Sequence, residues 1–466
     1  MSNQKTYFFC GVGGSGMMPL AVLMHRQGHK VVGSDRSYDQ GKNAEKFQAL
    51  EDCGIHIFPQ DGQSVSSEVD YLVVSSAVEE TIPDVKAAID RNIPIIKRGE
   101  LLAELFNSAE ERIAVAGTSG KSTVTGMVGT VLAELGQDPT VVNGGEIRNF
   151  RENETDKFAS IRKGRSNLFV AEMDESDGSI AHYNPTIALL NNIALDHKSM
   201  EELEQLFGDY LLRAEQVAVV NFDQPRLKAL CEDILKQRII SYGIDYAEAD
   251  FKATKLKPSV EGISFTLEVR GESYTVNLNV PGRHNVENAL ASLAVCSAMD
   301  IDIADSIEAL EKFMGVHRRM ELVGSACGVT VIDDFAHNPD KIAASLSTLK
   351  AFDGRLIIMF QPHGFGPLKL MGKEIVEVFA EYLDCNDILM MPEAFYAGGT
   401  TDRSVTAQNI VEDLKSRDVQ AYWFAKRHEI PEFIIHRVRG GDRFVVMGAR
   451  DDTLHVFAKE VLDMFC

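Results

Sequence analysis

The chain of 466 residues has a single tryptophan, only seven cysteines, and no apolar run long enough to cross a bilayer, which takes about 20 residues. Tyr7 to Met24 is mildly apolar, but glycines interrupt it and no basic leader or small-residue cleavage site frames it, so no signal peptide is expected. The cysteines, at 10, 53, 231, 296, 327, 385 and 466, are odd in number and form no C-x-x-C pair. That excludes a disulfide framework or a zinc ribbon and fits a cytoplasmic location with mostly buried thiols. Positive charge is also scarce: 47 Lys and Arg stand against 69 Asp and Glu, a net charge of -22. Such a balance argues against nucleic acid as a partner. It leaves room for small anions, which helix N-termini hold through backbone N–H groups. No solenoid-length repeat or low-complexity linker occurs.

What is present is the patterning of a folded α/β protein. The length suits two to four domains. Short apolar runs alternate with helical patterns: TYFFCGV, KVVGSD, DYLVVSSA and IPIIKR come first, then RIAVAGTSG, NLFVAEMDES, PTIALLNNI and QVAVVNFD. This alternation predicts parallel sheets with helices on both faces. Between Phe251 and Val280 the residues alternate apolar and polar instead, which predicts a small antiparallel addition. The βα alternation restarts with VTVIDDF, RLIIMF, DILMMP, QAYWFA and RFVVMG. Three α/β domains are expected, over 1–107, 108–314 and 315–466: Rossmann-like first and last domains, and a P-loop-type ATPase domain between them.

Two glycine loops stand out. Gly11, Gly13 and Gly16 fit G-x-G-x-x-G after a strand and before a helix, with Asp35 at the end of the next strand. Such a loop lets a pyrophosphate approach a helix N-terminus. NAD, a UDP-type diphosphate, or no ligand at all are compatible with it. The second loop, Gly117-Thr118-Ser119-Gly120-Lys121-Ser122, lacks the first glycine of the strict Walker spacing, because Val115 stands there. Its physics survives: backbone N–H groups wrap phosphates, Lys121 reaches the β and γ oxygens, and the Ser122 hydroxyl suits Mg2+. Lys121 also begins a helix, where a cation is unfavourable without a bound anion. Carboxylates for a metal are offered by VAEMDESDG, which carries Glu172, Asp174, Glu175 and Asp177, and His197 follows the next strand.

Together these pieces resemble the Mur ligases, the ATP-dependent amino-acid-adding enzymes of peptidoglycan synthesis, and within them the branch that acts on UDP-N-acetylmuramate and L-alanine. The resemblance runs in order through GVGGSGM, VVGSD, VVSSAV, PIIKRGELLAEL, GTSGKST, EMDESD, ALDH, PGRHNVENALA, GVHRRME, IDDFAHNP and FQPH. It implies a UDP-sugar site at Gly13, Gly14, Ser15, Gly16, Met17, Asp35, Ser75 and Ser76. It implies an ATP site at Gly117, Thr118, Ser119, Gly120, Lys121, Ser122 and Thr123, completed by His284, Asn285, Asn288, Arg319, Asp334 and His337. Mg2+ would rest on Ser122, Glu172 and His197, and the catalytic group would be Lys121, Glu172, His197 and Arg319. The implied reaction activates the sugar-nucleotide carboxylate as an acyl phosphate, which an amine then captures. A monomer or weak homodimer without membrane contact is expected.

The match departs in places. Ser119 replaces the histidine usual in this branch, Gly364 replaces an arginine after FQPH, and Arg450 replaces a glycine in MGARDD. The segment after His197 is short, and no lysine there is assigned to a second metal. A ligase that attaches a whole tripeptide is the near alternative. An NAD-dependent oxidoreductase, and a nucleotide-binding regulator without ligase activity, are the alternatives from other classes.

Overall fold

The computed structural model describes residues 4–76, 78–151, 158–175, 178–194, 199–232, 238–259, 262–395, 402–451 and 453–465. The first sheet has five strands: β1 (Thr6–Cys10), β2 (Lys30–Ser34), β3 (His56–Phe58), β4 (Tyr71–Val74) and β5 (Ile95–Lys97). All pair in parallel in the order β3-β2-β1-β4-β5. Phe8, Phe9, Leu72 and Val73 are fully buried, as strands covered by helices on both faces require. The order reverses between β1 and β4, which opens a crevice at their carboxyl ends.

The second sheet has ten strands. They are β6 (Glu111–Ala116), β7 (Thr140–Val142), β8 (Ile161–Arg162), β9 (Leu168–Glu172), β10 (Ile187–Leu190), β11 (Val217–Asn221), β12 (Ile239–Gly243), β13 (Phe251–Pro258), β14 (Ile263–Val269) and β15 (Glu272–Leu278). Their order is β15-β14-β13-β12-β11-β10-β6-β9-β7-β8. The central strand β6 lies between β10 and β9, both parallel to it. The short strands β3, β7 and β8 had no alternation to reveal them, and β12 also lies outside the runs read from sequence. The expected addition is present as the hairpin of β14 and β15, joined by Arg270 and Gly271 with φ of 53° and 80°. Two such left-handed residues make a tight antiparallel turn. The addition continues the main sheet, because β13 pairs in parallel with β12 through Tyr242 and Phe251.

The helix Lys121–Glu134 leaves β6 and is buried at ten of its positions. Gly126 and Gly129 permit this close fit: a Cβ there would lie 3.2 Å from Phe313 and 3.0 Å from Val141. Sheets one and two share a core, in which Phe106 of the helix Arg98–Asn107 packs edge-on against Phe169 and Tyr183. By packing, the chain divides into two compact units, the first of which holds the first two sheets. One holds Met1–Lys255, Phe265–Val276 and Val286–Met314; the other holds Leu256–Ser264, Asn277–Asn285 and Gly315–Cys466.

The second unit is built on a six-stranded sheet: β16 (Glu321–Ala326), β17 (Val329–Asp334), β18 (Leu356–Gln361), β19 (Ile388–Pro392), β20 (Ala421–Phe424) and β21 (Arg443–Gly448), in the order β16-β17-β21-β18-β19-β20. Only β16 is antiparallel to its neighbour. Its entry is pinned by Arg318, buried with φ of 57°. The guanidinium pairs with Asp333 and donates to the carbonyls of Gly448 and Asp451. Among the described residues no helix is long and apolar enough to cross a membrane.

Tyr210, fully buried on the helix Met200–Leu212, donates its hydroxyl to the Ala114 carbonyl at 2.7 Å, with the Leu189 carbonyl at 3.3 Å. This ties the helix to β6 and β10 just below the second glycine loop. Tyr210→Phe should lower unfolding stability by about 1–3 kcal/mol, because the carbonyl loses its buried donor; denaturant melts of the two proteins measure it.

Candidate functional site

The first glycine loop follows β1 at the switch point. Gly11 has φ of 80°, and the Gly13 N–H donates to Asp35 Oδ2 at 3.0 Å. A Cβ at Gly13 would sit 2.7 Å from Phe47, so only glycine fits. Asp35 also caps the turn Arg36–Asp39 through the Ser37 N–H. Both of its oxygens thus hold backbone, which is a loop-shaping task rather than the ribose contact that an NAD site asks of this carboxylate. Met17 is buried, whereas Ser15 is exposed at the loop tip. Ser75 and Ser76 follow β4 across the crevice, half-buried and exposed respectively. Two cations border the loop: Lys46 Nζ lies 3.3 Å from the Gly13 carbonyl, and Arg98 lies where a Cβ of Gly16 would meet it at 3.1 Å.

The second loop leaves the central strand β6. Gly117 and Gly120 have φ of 136° and 81°. A Cβ on Gly120 would meet Asn191 at 2.5 Å and Asn288 at 2.7 Å, so the loop closes only without side chains there. Asn191 and Asn192, at the end of β10, hold it from below. Asn192 accepts the Ser119 N–H at 2.7 Å, and both amides donate to the Ser119 carbonyl. Asn191 in turn accepts from the Tyr242 hydroxyl at 2.6 Å and donates to Asn288 at 3.0 Å. Thr118 exchanges hydrogen bonds with the Ala194 backbone. Ser122 is buried and Thr123 half-buried in the first turn of the helix.

Lys121 folds back over this loop. Its Nζ donates to the Gly117 carbonyl at 2.6 Å and to Glu175 Oε2 at 2.7 Å. The pair is well covered, with 15% and 8% of the side chains exposed. Removing one member of a buried pair costs about 3–5 kcal/mol. Glu175 stood among the acids of the VAEMDESDG segment with no role attached, and nothing in local spacing pairs it with a lysine 54 positions earlier. Asn192 and Tyr242 were not foreseen either, although the Asn-Asn at the end of PTIALLNNI was the available signal.

Glu172 ends β9 opposite Val115 of β6, beside the root of the loop. Its Oε2 accepts the Gly144 N–H at 2.7 Å. Adjacent Asn143 is buried, and among the described residues its Oδ1 has no partner. His197 lies outside the described residues. Among the described residues no group of three His, Cys, Asp or Glu side chains converges as a metal cluster. The Ser122 hydroxyl and the Glu172 carboxylate are nevertheless hard oxygen donors, the kind a magnesium ion prefers.

In the second unit, Arg319 is half-buried, with its guanidinium 5.5 Å from the Phe335 ring. Asp334 is turned inward: its carboxylate accepts from the Met320 N–H and the Ser345 hydroxyl, and burial raises its pKa. His284 lies within 3.5 Å of the Thr348 hydroxyl, and desolvation lowers its pKa. The Asn285 amide donates to the Pro281 carbonyl. His337 Nδ1 donates to the Phe335 carbonyl at 2.8 Å, and its ring packs edge-on against His363. Burial, with Lys341, His363 and Arg319 nearby, pushes His337 down to about 4. Burial, with Arg450 and Lys341, does the same to His363. Two departures from the resemblance meet here, since Gln361 pairs with Gly448 and so brings the loops after β18 and β21 together. Gly364 has φ of 146°, which disfavours an arginine, and Arg450 places its charge near His363 from the adjoining loop. A cavity of about 720 Å³ opens at the carboxyl ends of β18, β19 and β20, with Gln361, Glu393, Arg427 and Asp451 in its wall.

Two glycine loops on successive parallel sheets, the second with a lysine at its helix start, followed by a third sheet with Arg319 and Arg450 in its loops, suit an enzyme that handles phosphorylated ligands. The chain belongs to the Mur ligase family: residues 6–110 match its catalytic domain, 115–296 the Mur ligase middle domain, and 318–450 the glutamate ligase domain. It is 35% identical to the UDP-N-acetylmuramate--L-alanine ligase of Geotalea daltonii, over 95% of this chain and 94% of that one. It is 33% identical to the enzyme of the same name from Rickettsia prowazekii, over 98% and 92%. The solved UDP-N-acetylmuramate-alanine ligase of Thermotoga maritima superposes with a TM-score of 0.80 at 26% identity, covering 99% of this chain and 98% of that one. That three-domain α/β fold is the one seen here.

The paired rings of His337 and His363 set a pH dependence. Unfolded imidazoles take up protons near pH 6.5, and these folded rings do so only near 4. Their contribution is therefore complete above 6.5 and is lost as pH falls from 6.5 to 4, at most about 3 kcal/mol per ring and less where solvent reaches it. Thermal melts at pH 5 and pH 7 should differ by less in His337→Gln/His363→Gln than in the native protein.

Proposed function

We propose that this chain joins L-alanine to the carboxylate of UDP-N-acetylmuramate, converting ATP to ADP and phosphate, in peptidoglycan synthesis. The observation that carries the reading is the Gly117–Ser122 loop at the end of the central strand, with Lys121 folded across it. Whole-chain likeness to enzymes named for that reaction supports it. Residues 1–107 form the UDP-sugar domain, 108–314 the ATP domain, and 315–466 the acceptor domain.

In the first domain, the loop of Gly13, Gly14, Ser15, Gly16 and Met17 takes the diphosphate, at the N-terminus of the helix Met17–Arg26. Asp35 holds the loop's shape, and Ser75 and Ser76 face it from β4. In the second, Gly117, Thr118, Ser119, Gly120, Ser122 and Thr123 wrap the triphosphate, and Lys121 neutralises charge on the β and γ phosphates. His284, Asn285 and Asn288 take the adenine. Ser122 and Glu172, with His197, would hold magnesium, which when bound supplies further neutralisation where two anions meet. The sugar carboxylate attacks the γ-phosphorus, the bond to the β-phosphate oxygen breaks, and ADP leaves. The amine then attacks the acyl carbon, phosphate departs, and the amide remains. Arg319 stabilises the transferring phosphoryl. Asp334 orients the Met320 backbone and the Ser345 hydroxyl beneath it, and His337 offers its Nε2 to the ligand. The reaction belongs in the cytoplasm, where its nucleotide reactants are.

Two experiments check this. Phosphate release measured with UDP-N-acetylmuramate, ATP and magnesium should respond to L-alanine; turnover with the tripeptide and none with alanine would overturn the choice of acceptor. Lys121→Ala should slow turnover about a hundred-fold or more while UDP-sugar affinity, set in the first domain, stays within about two-fold.

A further inference from the structure

The ammonium of Lys121 already has an anion. Glu175 Oε2 sits 2.7 Å from Nζ while Nζ also contacts the Gly117 carbonyl at 2.6 Å, so the carboxylate lies over the loop. Glu175 is 6% exposed and is therefore not a surface acid that happens to reach a lysine. A cation at the first residue of a helix opposes the helix dipole, and a carboxylate placed on it relieves that conflict as a phosphate would. Glu172 has its own duty, accepting from Gly144 at the end of the same strand. Two of the segment's acids thus have different tasks: Glu172 holds the Gly144 N–H, and Glu175 holds the lysine.

From this geometry we propose that Glu175 is a positioning residue that stands in for phosphate on Lys121 when no nucleotide is bound. The inference rests on the ATP-site reading above. Nucleotide binding exchanges the carboxylate for a phosphate oxygen, so Glu175 keeps the lysine extended over the loop and simultaneously competes with the ligand. Without that competitor the loop binds ATP more tightly, but the apo protein loses the bond that keeps Lys121 in place. A residue with a purely structural role would weaken both properties together; a stand-in anion separates them.

The test is isothermal titration of ATP in magnesium-free buffer into the native protein and Glu175→Gln, with apo melting temperatures measured alongside. The expected result is about ten-fold tighter binding in Glu175→Gln, about 1.4 kcal/mol, together with a lower apo melting temperature and a larger shift on adding ATP. Equal or weaker ATP affinity in Glu175→Gln would overturn the proposal. Failure of the native protein to bind ATP would instead overturn the reading of the loop. UDP-N-acetylmuramate binding by the variant reports that it is folded. If that binding is lost, the same comparison is made with Glu175→Asp, whose carboxylate is one methylene shorter.

Discussion

The molecule turns on an ammonium held across a loop of glycines at the end of a buried parallel strand. Lys121 is kept over the loop through its Nζ contacts with the Gly117 carbonyl and Glu175, and that requires three conditions at once. The strand β6 must end inside the sheet, the loop must close without side chains at positions 117 and 120, and a counter-charge must balance the lysine. The asparagines after β10 meet the second condition by occupying the space beside Gly120 and bonding the Ser119 backbone. Glu175 meets the third. Polar groups this enclosed stabilise one loop conformation because each has a partner.

The first and third sheets solve the anion problem differently. At β1 the glycine loop is shaped by a carboxylate, Asp35, whose charge is spent on backbone N–H groups, and Lys46 and Arg98 border the loop. In the second unit two partly buried imidazoles stay neutral because desolvation and surrounding cations disfavour their protonated forms. In a chain with a strong negative excess, the acids at these loops are engaged: Asp35 and Glu172 hold backbone N–H groups and Glu175 holds Lys121.

Much of this was legible beforehand, for identifiable reasons. Strands covered on both faces are long apolar runs, so the parallel strands from β17 to β21 showed themselves plainly, whereas β3 and β7, of three residues each, did not. The antiparallel strand β16 interrupts its own pattern with Gly324, where the pairing register slips. The glycine loops were visible because a strand–loop–helix turn of this kind is local in sequence. Asp334 and Asp35 were named as candidate site residues, but what each carboxylate bonds to depended on groups brought near by folding. The expected spacing of three domains did not show that Phe106 would join the first two sheets through one core.

By itself the sequence determined the local devices: two glycine loops, each between a strand and a helix, and a lysine at a helix start. These depend on residues within a turn of one another and on which side chains each backbone angle tolerates. Only the tertiary structure decided which charges meet. Lys121 finds Glu175 across 54 residues, and Arg450 comes near His363 because β21 is inserted beside β18. The reason is that strand order, set by how buried faces pack, selects neighbours along a sheet's carboxyl edge, and no spacing along the chain encodes that choice.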